Sequence, residues 1–255
     1  MAPRPTLAAA QFEPAVGDTG TNLETIERVL TGLEDAVEVV VFPELTVTGY
    51  DLDAARDLAE PIPGPTTTKL VDLAGTYGVD IVVGIPERTD DHLYNALAYV
   101  TPDGLRATYR KQYLWGDERE VFDSGGQPVT VESPVGTVGL LLCYDLNLPE
   151  TSLAYAREEV DVLAVSGAWR TDYMDDWELL LRARALDGTA YVVAANHVGS
   201  QSGRRHGGGS LVVDPTGHVT TIAGETPAVV TTPVEAPVLE TARRRNPVLE
   251  TRRER

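Results

Sequence analysis

The stretch VGLLLCYDLNLPE, residues 138–150, joins a run of apolar residues to the start of a helix. The run Val138–Cys143 is apolar without alternation, which is typical of a strand that is buried on both faces. A helix is predicted directly after it, over Asn147–Glu159, with Pro149 in the first turn, where proline is well tolerated. A buried strand that leads into a helix in this way indicates a mixed α/β fold.

The same alternation of strands and helices continues on both sides of this stretch. Further buried strands are predicted at Thr6–Gln11, Val37–Phe42, Asp80–Ile85, Val162–Val165 and Tyr191–Ala195, and further helices at Asn22–Leu33, Thr66–Tyr77 and Tyr173–Asp187. Gly78 follows the second of these helices, where a C-terminal cap is expected.

Two turns interrupt the alternation, at Thr101–Gly104 and Asp214–Gly217. They predict β-hairpins that pair Leu93–Val100 with Leu105–Tyr109 and Ser210–Val213 with His218–Ile222. Hairpins of this kind favour a layered sandwich over a simple doubly wound sheet. Since no loop is long enough to divide the chain, a single domain is predicted over residues 1–255.

The composition is that of an ordinary globular protein, with 255 residues, 42% hydrophobic and 24% charged. No apolar stretch approaches the roughly 18–20 residues that a membrane-spanning helix needs. The N-terminal segment has no apolar signal-peptide core, so we expect a cytoplasmic protein. The single cysteine excludes an intrachain disulfide, and the four histidines lack metal-ligand spacing, so neither a metal nor another cofactor is predicted.

The charge balance is strongly acidic, with 39 Asp and Glu residues against 21 Lys and Arg residues and a net charge of −18. Such a chain disfavours nonspecific binding to nucleic acids or to anionic membranes. Only two of the basic residues are lysines, Lys69 and Lys111. A lysine retained in a chain that otherwise uses arginine suggests a role that needs a compact charge.

Three residues at predicted strand ends are candidates for catalysis. Cys143 closes a buried strand where a helix begins, a position at which backbone N–H groups can stabilise a thiolate or an oxyanion. Glu44 follows another buried strand, where burial raises the pKa of a carboxylate and suits it to act as a general base. Lys111 follows a hairpin strand. Each of these residues also has a non-catalytic interpretation. Cys143 could be a core cysteine, Glu44 a surface glutamate in a turn, and Lys111 a lysine without a specific role.

Together, the segments around these residues resemble the Glu–Lys–Cys triad of the nitrilase, or carbon–nitrogen hydrolase, superfamily. The stretches that carry the resemblance are FPEL (42–45), YRK (109–111) and LCYDLNLPE (142–150), supported by residues 182–196, 208–217 and 245–249. The order and spacing of these stretches also agree with those of the family, and the resemblance extends from about residue 5 to the C-terminus. Members of the family often carry a second glutamate shortly after the lysine. Glu118 fits this position, and Glu120 is the alternative.

The resemblance implies a four-layer αββα sandwich that pairs through one helical face into a homodimer or higher homo-oligomer. The basic tail, residues 238–255, resembles the segment that crosses to the partner subunit. Against the usual family pattern, Asn147 and Leu148 stand where Arg and Phe are common. Ser166-Gly167, Gln112-Tyr113 and Ser124-Gly125 are further departures, and all of them concern substrate preference rather than the triad.

The implied activity is hydrolysis of an amide or N-carbamoyl bond of a small molecule through a thioester on Cys143. Glu44 would act as the base, and Lys111 with the backbone N–H of Tyr144 would hold the oxyanion. Tyr50, Trp115 and Trp169 are candidate pocket walls, and Tyr144 joins them as a substrate-binding candidate. The Cys-Tyr-Asp sequence favours amidases and carbamoylases over nitrilases. Nitrile hydrolysis, acyl transfer, an inactive binding relative and a Cys–His hydrolase that uses His197 remain the alternatives.

Overall fold

The computed structural model describes residues 4–254; Met1–Pro3 and Arg255, the ends of the predicted domain and tail, lie outside them. The strands are β1 (Thr6–Gln11), β2 (Val37–Val41), β3 (Asp80–Thr89), β4 (His92–Thr101), β5 (Gly104–Arg110), β6 (Thr130–Ser133), β7 (Gly136–Leu142), β8 (Val162–Gly167), β9 (Tyr191–Asn196), β10 (Val198–Gln201), β11 (Arg204–Gly207), β12 (Leu211–Val213), β13 (Val219–Ile222) and β14 (Ala228–Pro233). The helices are α1 (Thr19–Thr31), α2 (Leu52–Leu58), α3 (Pro65–Tyr77), α4 (Pro149–Arg157), α5 (Met174–Gly188), α6 (Ala236–Arg245) and α7 (Val248–Arg253). Short 3-10 helices span Gly116–Glu120, Cys143–Asn147 and Thr171–Tyr173.

Most strands form two six-stranded sheets. The first sheet has the order β14-β1-β2-β3-β4-β5 and the second has the order β13-β12-β9-β8-β7-β6. In the first, β1, β2 and β3 are parallel, and in the second, β7, β8 and β9 are parallel. The remaining neighbours are antiparallel, including the two predicted hairpins, β4–β5 and β12–β13.

The sheets pack face to face, and helices cover their outer faces. The central core joins side chains such as Val39 and Leu97 of the first sheet to Leu140 and Val193 of the second. On the outer side of the first sheet, α1 and α3 contribute Ile26, Leu30, Leu70 and Leu73. On the outer side of the second, α4 and α5 contribute Tyr155, Trp177 and Leu181. The predicted four-layer αββα sandwich is therefore confirmed.

The predicted elements are found within a few residues of their expected ends. The largest shifts are at β3, which continues to Thr89 rather than ending at Ile85, and at α1, which begins at Thr19, where Asp18 caps it. Helix α4 begins at Pro149, after the 3-10 turn, rather than at Asn147. Gly78 caps α3 in the left-handed conformation, with φ 66°. The short strands β6, β10, β11 and β14 and helix α2 carry no clear apolar period and were not predicted.

The basic tail forms α6 and α7, which pack against their own chain. Leu239, Ala242 and Leu249 are buried, and Arg243 pairs with Asp161 at 3.1 Å. The single-domain boundaries, the oligomer-contact role of the tail and the pairing of subunits stay predictions. Within residues 4–254, no helix is long and apolar enough to cross a membrane.

Candidate active site

Three strand ends bring the candidate catalytic residues together. Glu44 follows β2, Lys111 directly follows β5, and Cys143 directly follows β7. Because β2 and β5 belong to the first sheet and β7 to the second, the site lies between the two sheets at one end of the sandwich. The Ser166 hydroxyl donates a hydrogen bond of 2.7 Å to the carbonyl oxygen of Phe42, which ties the sheets together beside the site.

The Lys111 ammonium lies between two carboxylates. Its Nζ is 2.6 Å from Glu44 Oε1 and 2.8 Å from both carboxylate oxygens of Glu118. All three side chains are buried. Glu120, the competitor for the second-glutamate position, is exposed instead. An ion cluster buried so completely needs further hydrogen bonds to offset its loss of hydration.

Those further hydrogen bonds come from groups around the carboxylates. Tyr50 Oη and the Trp115 backbone N–H each donate to Glu118 at 2.8 Å. Asn95 Nδ2 donates to Glu44 Oε1 at 2.7 Å. The second oxygen of Glu44, Oε2, is buried and has no hydrogen-bond partner within residues 4–254. Glu44 therefore has one oxygen held and one oxygen available to accept a proton.

The charges in the site follow from burial and from these neighbours. Burial raises the pKa of Glu44 to about 7, opposed by Lys111 and assisted by Glu118. Burial alone would lower the pKa of Lys111, but the carboxylates of Glu118 and Glu44 outweigh it and keep that pKa well above its usual value. Burial and the charge of Glu44 raise the pKa of the Cys143 thiol well above its usual value. The resting thiol thus needs a base to become a nucleophile.

Cys143 begins a 3-10 helix in a conformation that is rare for a residue with a side chain. Its φ is 44°, and Leu45, next to Glu44, has a φ of 46°. Left-handed backbone of this kind is uncommon away from glycine and collects at functional sites. Because the 3-10 helix begins at Cys143, the N–H of Tyr144 belongs to its first turn, where N–H groups have no acceptor within the helix.

Asp145 holds the turn that carries Cys143. Its buried carboxylate accepts hydrogen bonds from the Tyr109 hydroxyl at 2.6 Å, the Tyr113 N–H at 2.8 Å and the Leu142 N–H at 3.3 Å. Burial raises the pKa of Asp145 to about 6, against the effect of these donors. These contacts fix the cysteine turn to β5 and to the segment after Lys111.

A second network holds the loop that faces Cys143. Asn196 accepts a hydrogen bond from the Trp169 N–H at 2.7 Å and donates to the Trp169 carbonyl oxygen at 3.2 Å. His206 Nδ1 lies 3.0 Å from the carbonyl oxygen of Ala168, and His197 Nε2 lies 2.5 Å from that of Glu44. Burial lowers the pKa of His197 to about 3, so this imidazole is neutral and holds the backbone of Glu44.

Cys143 opens onto a pocket of about 180 Å³. The four candidate wall residues, Tyr50, Trp115, Tyr144 and Trp169, all line it. Residues that were not predicted also line it, among them Arg170 and Asp176. Within residues 4–254, the structure brings together no cluster of three or more His, Cys, Asp or Glu side chains that could hold a metal ion.

The profile of the family described as carbon-nitrogen hydrolase matches residues 6–244. The chain belongs to this family. A probable nitrilase of Schizosaccharomyces pombe is 32% identical over 84% of this chain and 82% of its own. An (R)-stereoselective amidase of a Pseudomonas species is 35% identical, over 82% of this chain and 77% of its own. The structure of Saccharomyces cerevisiae Nit3, a member of branch 10 of the nitrilase superfamily, superposes with a TM-score of 0.90 at 28% identity, covering 99% of this chain and 98% of its own.

As a member of the carbon–nitrogen hydrolase family, the protein is an amidase-type hydrolase, as the sequence motifs predicted. The sequence analysis did not predict several residues of the site, above all Asn95 and Arg170. It considered His197 only as a catalytic base, whereas this side chain contacts the Glu44 backbone. Asn95 had a signal, since it is an asparagine at an inward position of an apolar strand, where its type is depleted. Arg170 had no such signal in the sequence, because an arginine after Trp169 is expected to be an ordinary solvent-exposed residue.

Proposed function

We propose that this carbon–nitrogen hydrolase cleaves an amide or N-carbamoyl bond of a small molecule through a thioester on Cys143. Glu44 Oε2 takes the thiol proton, and the sulfur forms a bond to the carbonyl carbon. The oxygen of the tetrahedral intermediate is held by the Lys111 ammonium and by the Tyr144 N–H. Glu118 positions Lys111 through both of its carboxylate oxygens.

The intermediate collapses when its carbon–nitrogen bond breaks. The proton held by Glu44 goes to the nitrogen, which leaves as ammonia or an amine. Glu44 then takes a proton from a water molecule, whose oxygen attacks the thioester carbon. The carbon–sulfur bond breaks, the thiolate recovers the proton from Glu44, and a carboxylic acid or a carbamate leaves the pocket.

One observation carries this proposal: the buried Oε2 of Glu44 has no hydrogen-bond partner within residues 4–254, and the Cys143 side chain, which lines the pocket, lies near enough to the Glu44 carboxylate to lower its pKa. A pKa of about 7 suits Glu44 both to accept and to return a proton near neutral pH. The Cys–His alternative receives no support from the geometry, because His197 Nε2 is engaged with a backbone carbonyl and its pKa is about 3.

The test is ammonia release from aliphatic amides, ω-amides, N-carbamoyl amines, N-carbamoyl amino acids and nitriles. We expect turnover of one amide or carbamoyl class by the native protein and none by Cys143→Ser. Intact-mass measurement after rapid acid quench should show the acyl group on the native chain alone. Turnover confined to nitriles, or turnover that survives in Cys143→Ser, would overturn the proposal. The proposal would also be overturned if the folded protein released no ammonia from any compound of the panel.

A further inference from the structure

Arg170 brings a positive charge to the pocket that contains Cys143. Its guanidinium carbon lies 5.1 Å from the ring centre of Trp115 and 5.3 Å from that of Tyr173. An N–H of the same group donates to the Tyr173 hydroxyl at 3.3 Å. The two aromatic rings hold the half-buried guanidinium in place by cation–π attraction, but neither ring supplies a charge to balance it.

The guanidinium also lacks an acidic partner. Within residues 4–254, Arg170 forms no ion pair, and its Nε is buried without a hydrogen-bond acceptor. Asp176 lines the same pocket but forms no ion pair with Arg170 within residues 4–254. A buried donor left without an acceptor is destabilising. An anionic ligand in the pocket would balance the charge that the guanidinium brings there.

We propose that Arg170 binds a carboxylate of the substrate, so that the bond cleaved at Cys143 is the amide of a dicarboxylic acid monoamide. This inference rests on the proposed function and names its substrate class. A carboxylate matches an N–H edge of a guanidinium with two parallel hydrogen bonds.

Asp176 points to the competing possibility, an amide that carries an ammonium group. It lines the same pocket and is exposed to solvent, whereas Arg170 is half-buried. An exposed carboxylate is well hydrated and gains little from an ion pair, while a partly buried guanidinium is less screened. The geometry therefore favours recognition of an anion by Arg170.

The test compares three amides of equal length: succinamate, butyramide and 4-aminobutanamide. For the native enzyme, we expect kcat/KM to be highest for succinamate. In Arg170→Gln, the ratio of kcat/KM for succinamate to that for butyramide should fall about 10- to 100-fold, and Arg170→Lys should lose less. The control is Arg205→Gln, which removes the same charge at the surface, where Arg205 pairs with Glu225. It should leave the ratio unchanged, and Asp176→Asn should raise it.

Two results would overturn the inference while leaving the proposed function in place. One is hydrolysis of butyramide with a succinamate ratio that Arg170→Gln does not change. The other is a preference for 4-aminobutanamide that is lost in Asp176→Asn. If the folded protein hydrolyses no amide, the proposed function fails, and calorimetry of succinamate with Cys143→Ser decides the Arg170 site separately. Binding that disappears on adding Arg170→Gln would support that site, and absence of binding would overturn it.

Discussion

Glu44 and Lys111 are joined through one carboxylate oxygen only. Lys111 Nζ lies 2.6 Å from Glu44 Oε1, which also accepts from Asn95, while Glu44 Oε2 has no partner within residues 4–254. This division keeps the carboxylate in one orientation and leaves without a partner the oxygen that accepts the Cys143 proton in the proposed mechanism. In the proposed mechanism, Lys111 therefore orients the base, Glu44, and also stabilises the oxyanion.

The pH dependence of catalysis should report the pKa of Glu44. As the base, Glu44 must be ionised, so kcat/KM should fall on the acid side with a midpoint near its pKa of about 7. The negative charge of Glu118 raises that pKa, so in Glu118→Gln the midpoint should move to lower pH, with a lower plateau. Glu120→Gln, at the exposed neighbour, is the control and should leave the profile unchanged. A midpoint that stays in place or rises in Glu118→Gln would contradict this coupling.

The two lysines of the chain provide a matched pair. Lys111→Met removes the ammonium between two buried carboxylates, which should abolish activity and lower the free energy of unfolding by about 3–5 kcal/mol. Lys69→Met changes an exposed residue on α3 and should alter that free energy by less than about 0.5 kcal/mol. Urea unfolding and ammonia release measure both effects. Equal stability of the two variants would show that the buried cluster is not needed for folding.

Gly84 of β3 should tolerate no side chain. A Cβ at this position would lie 2.2 Å from the Leu45 nitrogen, 2.7 Å from the Glu44 carbonyl carbon and 2.8 Å from the Pro43 oxygen. These are backbone atoms, so Gly84→Ala must displace the turn that carries Glu44. We expect a loss of about 1–3 kcal/mol in the free energy of unfolding and a fall in kcat.

The control for this substitution is Gly75→Ala in α3. Its added Cβ would have one neighbour, the Pro102 oxygen at 3.8 Å. Since alanine is favoured over glycine inside helices, this variant should match or exceed the native stability by up to about 1 kcal/mol. Normal activity in Gly84→Ala would refute the close approach of β3 to the Glu44 turn.

His197 should make the protein sensitive to acid. Burial, and secondarily His206, lower its pKa from 6.5 to about 3. Between these values the unfolded chain binds a proton that the folded chain does not, so the stability fully present above pH 6.5 is lost as the pH falls. The loss is about 1.4 kcal/mol per pH unit at most. His197→Gln keeps a donor toward the Glu44 carbonyl, and the difference in unfolding free energy between pH 7.5 and pH 5 should shrink by about 2 kcal/mol. An unchanged difference would place the acid sensitivity elsewhere.

The predicted homodimer also has a candidate surface. On α5, Leu179 is 64% exposed and Leu186 is 44% exposed, and their spacing places them on one face of the helix. We expect sedimentation velocity to show a dimer at least, and Leu179→Glu to shift it toward the monomer, because a charge opposes burial of this face. Val16→Glu, at an exposed apolar residue outside the helix, should remain a dimer. A monomeric native protein would refute the prediction.

The sequence allowed the sandwich and the triad to be predicted because both depend on local signals. Apolar runs that end at Glu44 and Cys143 mark buried strands, and the segments around Glu44, Lys111 and Cys143 carry family motifs. The short strands β10 and β11 were missed because they form a separate two-stranded sheet with few apolar residues. Their positions depend on contacts with other loops rather than on their own pattern.

From the sequence alone it was possible to predict the succession of buried strands along the chain, the strand ends that carry the candidate reactive groups, and the acidic character of the chain. The folded structure was needed to see that Glu118, and not Glu120, contacts Lys111 and that Asn95 holds Glu44. It also places Arg170 in the pocket, with no ion pair within residues 4–254. These contacts were not predicted because burial and hydrogen bonding join residues that lie far apart in the chain. Asn95 and Glu44 are 51 positions apart, so sheet packing, which no local pattern encodes, sets their contact.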